Sequence, residues 1–104
     1  MSVPRITEIL ESVTNRYFVI PPSLSNADSG DFPITIATYV ERKVYGVNVS
    51  NDHASDTVTI VIVDQNGTHT KNILAGKTYS GFYDDIITIN VTAGTTYQIE
   101  LLGL

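Results

Sequence analysis

From residue 32 onward, apolar and polar residues alternate with a period of two, the spacing at which successive side chains fall on opposite faces of a β-strand. The clearest instance is Thr57-Val58-Thr59-Ile60-Val61-Ile62-Val63, apolar on both sides at its centre and so readable as a buried strand. Two five-residue echoes punctuate the pattern: Ala75-Gly76-Lys77-Thr78-Tyr79 and, eighteen residues on, Ala93-Gly94-Thr95-Thr96-Tyr97. Each puts a glycine where the chain must turn and a Thr-Tyr pair where extended backbone should resume. Two units are too few for a stacked repeat. Two similar turns at the same end of neighbouring strands account for them.

The rest of the alternation completes the set. Ile34, Ile36 and Val40 share one strand face, and Tyr45, Val47 and Val49 the next. Asn66-Gly67 signals a hairpin through a type I′ turn, with positive φ expected at both positions. Residues 68–74 return as a polar strand suited to a sheet edge, followed by segments around residues 79–82, 87–91 and 97–101. Six or seven short strands, turning about every ten residues, predict an all-β fold: an antiparallel β-sandwich of the Ig-like or jelly-roll-like kind.

Residues 5–17 follow a different period. Ile6, Ile9, Leu10, Val13 and Tyr17 lie on one stripe of a 3.6-residue helix behind Pro4, although Ile6, Thr7, Val13 and Thr14 are β-branched and weaken it. Pro21-Pro22 ends that element, and residues 23–31 are turn chemistry throughout. At 104 residues the chain is one domain. It divides into an N-terminal arm, residues 1–31, with a short helix and a Pro/Ser-rich linker, and a β-sandwich over residues 32–104.

Charge narrows the partners. Eleven acids against six bases give a net −5, and the densest basic feature is Arg42-Lys43 beside Glu41. Replacing counterions on phosphates takes a basic patch, so nucleic acid is not an expected partner. No apolar stretch is long enough for a bilayer and the opening residues lack a signal-peptide pattern; the chain reads as made and kept soluble, with no membrane partner. The absence of cysteine removes disulfides, thiolate metal sites and cysteine nucleophiles. Charged residues make up only 16%, which suits Thr- and Asn-faced strands or a surface partly covered by neighbours.

Candidate chemistry is sparse. His53, with Ser55 and Asp56 in the same loop, has the residue types of a hydrolytic triad, but neighbours in one loop seldom converge on a centre. His69 follows the hairpin turn. Asp84-Asp85 could join Asp52 or Asp56 around a calcium ion, without the spacing of a known loop. Gly76-Lys77-Thr78 imitates the end of a phosphate-binding loop, yet Lys71 stands where its first glycine belongs. Neither metal nor cofactor is expected, and no catalytic residue is assigned. Among the aromatics, alternation puts Tyr45 and Tyr97 in the core, and brings Tyr39 and Tyr83 towards the surface as possible stacking faces.

The second half, from the buried strand at residues 57–63 through Ile73-Leu74-Ala75-Gly76-Lys77-Thr78-Tyr79 and Phe82-Tyr83-Asp84-Asp85 to the apolar last strand, resembles the small β-sandwich proteins of tailed-phage particles, particularly capsid decoration (cement) proteins. The resemblance implies a non-enzymatic virion component, often a homotrimer, bound to capsid protein on the outside of the shell. Such proteins grip the shell or a neighbouring subunit with an N-terminal arm, which assigns partner binding to Ile6, Ile9, Leu10, Val13, Tyr17 and Phe18. The alternative is a carbohydrate- or receptor-binding module of a tail or fibre, using Tyr39, Asp52, Asp56 and Tyr83.

Overall fold

The computed structural model describes residues 18–103. Eight strands follow one another: β1 (Phe18–Ser25), β2 (Ile34–Thr35), β3 (Val44–Asn51), β4 (Val58–Asp64), β5 (Gly67–Ile73), β6 (Thr78–Phe82), β7 (Thr88–Ala93) and β8 (Tyr97–Gly103). A 3-10 helix (Asn26–Asp31) and a single helical turn, α1 (Ile36–Tyr39), lie between the early strands. One sheet has the order β1-β8-β3-β6 and the other β2-β7-β4-β5. In the first sheet the first strand pairs with the eighth and the third with the sixth, and in the second sheet the second pairs with the seventh and the fourth with the fifth, all antiparallel. That nesting is a hairpin of hairpins rolled into two sheets, a jelly roll. The sandwich expected from the alternation is present, in its jelly-roll form.

The inward faces of the two sheets make one core. Ile20, Leu24, Val47, Val49, Ile99 and Leu101 come from the first sheet, and Ile34, Val58, Ile60, Ile62 and Ile89 from the second. Tyr97 is buried with them, as alternation predicts, and meets Phe32 edge-on at 6.1 Å between ring centroids.

Three expectations change. The sandwich starts at Phe18 and not at residue 32, because residues 18–25 form an edge strand on β8 and bury Ile20 and Leu24. Pro21-Pro22 lies within β1 and does not interrupt it. It sits in an irregularity where the pairing jumps from Ile20–Leu101 to Leu24–Ile99, on an edge strand whose backbone can spare N–H groups. Second, Ile34, Ile36 and Val40 are not one strand face: two residues pair as β2 and the chain then coils into α1. Third, the hairpin between β4 and β5 is there, but only Gly67 has positive φ, at 125°; Asn66 has not. The Asp64 carboxylate shapes the turn instead, accepting from the Asn66 N–H at 2.9 Å.

The echoes do lie at one end of the sheet. β6 and β8 flank β3, and both turns bend through a glycine of positive φ, Gly76 at 71° and Gly94 at 111°. They close on adjacent residues at the end of β3. The Asn51 N–H donates to Lys77 O and the Gly76 N–H to Asn51 O, each at 2.9 Å, while the Asp52 N–H donates to Thr96 O at 3.1 Å.

Candidate functional site

A sandwich is open where its edge strands stop, and β5 and β6 are edges on the same side. Residues of β5 that face inward must therefore fill a rim open to water. In register with the buried Ile62, Ile60 and Val58 stand His69, Lys71 and Ile73, so the first two point into that rim. Tyr79 on β6 and Tyr83 just after it close the other side. With Tyr45, Phe82, Asp64, Asp84 and Asn66 they line a shallow concavity of about 640 Å³.

Asp64 holds this corner together. It is 4% exposed and ends β4. One carboxylate oxygen accepts from the Asn66 N–H and lies 2.8 Å from His69 Nε2; the other accepts from the Asp84 N–H at 2.9 Å. The hairpin turn, the edge strand and the loop before β7 are thus tied to one anion. The Asp84 N–H, helped by His69 and the Asn66 N–H, holds the Asp64 carboxyl below its ordinary range, against the opposing effect of burial. Its folded value is depressed, so its contribution to stability is whole above the ordinary value of 3.8 and is lost as the pH falls through the lower one. Asp64→Asn is therefore expected to lower the Tm at pH 7, and the gap to the parent protein should close as the pH drops below that range. Paired thermal melts from pH 7 to pH 2.5, roughly spanning the carboxylate range, check this; a gap that stays constant would refute it.

The aromatic wall is locked in turn. The Tyr79 and Tyr83 hydroxyls are 2.5 Å apart, and the His69 ring leans on Tyr83 at 5.1 Å between centroids. Lys71 Nζ stands 5.7 Å over the Tyr79 ring. Burial, then the contact with Tyr79, raises the Tyr83 phenol well above its usual range, so it stays a neutral hydroxyl. Phe82 is 64% exposed and lies on the sheet above Gly46, where a Cβ would come within 3.0–3.1 Å of its ring carbons. The missing side chain at residue 46 leaves room for that ring.

The sequence-derived site residues do not form one group. Tyr83 belongs to the concavity. Tyr39 is half-buried beside Asp31, Pro33 and Thr38, near β2. Asp52 and Asp56 are in the loop at the opposite end of β4 from Asp64. The same separation breaks up the calcium candidate: Asp84 faces the concavity, and Asp85 lines a different cleft beside Lys43, 3.8 Å from its Nζ. Among the described residues no cluster of three or more acidic or histidine side chains could hold a metal ion. His53 is part of its own loop, Nδ1 accepting from the Ser55 and Asp56 N–H groups at 3.0 and 2.9 Å. Tyr45 is half-buried at the concavity and not in the core. Ile6, Ile9, Leu10, Val13 and Tyr17 lie outside the described residues, and the Phe18 backbone opens β1 opposite Gly103.

Asp64 and Lys71 escaped the sequence reading. The spacing Asp64-Gln65-Asn66 before Gly67 carried a signal for the first, a carboxylate two residues before the amide it caps. Lys71 carried none, since a polar residue at an inward edge position looks like one on an outer face. No family model, curated protein or solved structure matches this chain.

Proposed function

We propose that this chain is a non-enzymatic structural protein of a tailed-phage particle, which binds capsid protein on the outer shell as a small oligomer, a homotrimer being favoured. The observation that carries the reading is an apolar row across the outer face of the first sheet. Val19 on β1 pairs with Leu102 on β8, Leu102 with Gly46 on β3, and Gly46 with Phe82 on β6. Val19 is 51% exposed, and its row is flanked by Glu100, Asn48 and Ser80. The outer face of an antiparallel sheet is ordinarily polar at these positions, and three apolar side chains in one row, with a glycine between Leu102 and Phe82, suit contact with another protein. Jelly rolls serve as viral capsid domains, which supports the reading by analogy alone. The segment carrying Ile6, Ile9, Leu10, Val13 and Tyr17 would supply a second contact to a partner chain.

Sedimentation equilibrium of the full chain is expected to show a trimer. Val19→Ser combined with Leu102→Ser should weaken association about tenfold or more, the cost of burying two polar groups in place of apolar ones, with the circular dichroism unchanged. Removal of residues 1–17, a cut that spares Ile20, should leave a folded sandwich that no longer binds particles in a density gradient. A protein that stays monomeric and never travels with particles would overturn the proposal.

A further inference from the structure

We infer that the concavity between β5 and β6 binds a neutral pyranose ring, as one unit of an oligosaccharide. The concavity combines an exposed aromatic ring, Phe82, with groups of both charges and neutral ones that hydrogen-bond: the Asn66 carboxamide, the Asp84 carboxylate, the Lys71 ammonium and the Tyr79 and Tyr83 phenols. A pyranose has the matching form, an apolar C–H face and a rim of hydroxyls that both donate and accept. Charge argues against the other small-molecule classes. An anion would meet the Asp84 and Asp64 carboxylates, which stand beside Lys71 and the His69 ring, and a cation would meet the Lys71 ammonium seated over Tyr79. Asp64 itself is spent on three N–H groups, so it braces the site and leaves recognition to its neighbours.

The site is also built in advance. The hydroxyl contact between Tyr79 and Tyr83 and the tilted contact of His69 on Tyr83 hold the two phenols before any ligand arrives, and Gly46 leaves room for Phe82 to lie on the sheet. That reduces the ordering cost of binding. A volume of about 640 Å³ open to solvent accommodates a ring or two of a longer chain and does not enclose a whole ligand. The apolar row and the concavity meet at Phe82, while Val19 and Leu102 at the other end of the row lie outside the concavity.

The test is backbone-amide chemical-shift mapping of the full-length, isotope-labelled protein titrated separately with maltose, cellobiose, lactose and chitobiose, with sialyllactose as a charged comparison. At least one neutral disaccharide should shift the Asn66, Gly67, Lys71, Phe82 and Asp84 amides saturably. Phe82→Ala should weaken that binding about tenfold, the scale of one lost stacking contact, and Asp84→Ala should also weaken it. Gly46→Ala, which displaces the ring without removing it, should weaken binding with the remaining spectrum intact. Val19→Ser with Leu102→Ser should bind the sugar as the parent does, whatever happens to assembly. No shift with any neutral disaccharide, a response to sialyllactose alone, or shifts that survive Phe82→Ala would each overturn the proposal.

Discussion

Replacing Gly103 by alanine is expected to cost the fold about 3 kcal/mol or more, the upper range for overpacking an interior position. Gly103 sits in β8 between Phe18 of β1 and Val44 of β3. A Cβ there would overlap the carbonyl oxygen of Lys43 and Cδ1 of Ile20. Backbone cannot swing aside as a side-chain tip can, so either the start of β3 moves away from β8 or the core loses its packing around Ile20. A domain of this size has only about 5–15 kcal/mol in hand. Loss of soluble yield, or a large fall in the denaturant midpoint, is the expected readout. Gly30→Ala is the matched control: a Cβ at residue 30 meets nothing within 4 Å, and that glycine is not among those of positive φ. Equal behaviour of the two variants would show that the β1–β8–β3 contact is looser than described.

Asn51→Leu is expected to cost about 2–4 kcal/mol, from buried polar groups left without partners. The Asn51 side chain is 1% exposed. Its Nδ2 donates to Asp56 O at 2.7 Å and to Ile73 O at 2.8 Å, and its Oδ1 accepts from the His53 N–H at 3.0 Å. Leucine has nearly the same shape and none of these functions, so two carbonyls and one N–H would lose their bonds. The first echo turn also closes on the Asn51 backbone and the second on the adjacent Asp52 N–H, so displacement of Asn51 would disturb the start of β6 directly and reach β8 through its neighbour. Urea titration should give a lower midpoint at unchanged slope. A shift no larger than that of the exposed Gln98→Ala would refute the role assigned to the carboxamide.

Alternation made the central strands legible. Val58, Ile60 and Ile62, and again Tyr97, Ile99 and Leu101, point to one face because period two leaves them no other arrangement. The echo glycines were legible for a similar reason, since few residues other than glycine take up positive φ readily. β1 was hidden by Pro21-Pro22, which reads as a break in any local pattern; only the presence of β8, more than seventy residues away, makes that stretch an edge strand. The concavity was hidden for the same reason. Asp64, His69, Tyr79 and Tyr83 come together through the stacking of two sheets, and nothing in their local spacing records which edges will face each other. Tyr83 could be singled out as a surface aromatic. Tyr39, Asp52 and Asp56, chosen with it, belong to other corners of the molecule.

The nested pairing also has a kinetic side. Of the partnerships that define the roll, only β4 with β5 joins neighbours in the chain, and each successive pair spans a longer loop until β1 must find β8. Closing such loops costs entropy before any contact rewards it, which places chains of this topology among the slow folders. Zipping would thus begin at the Asp64–Gly67 turn and end with the N-terminal strand, whose arrival completes the roll.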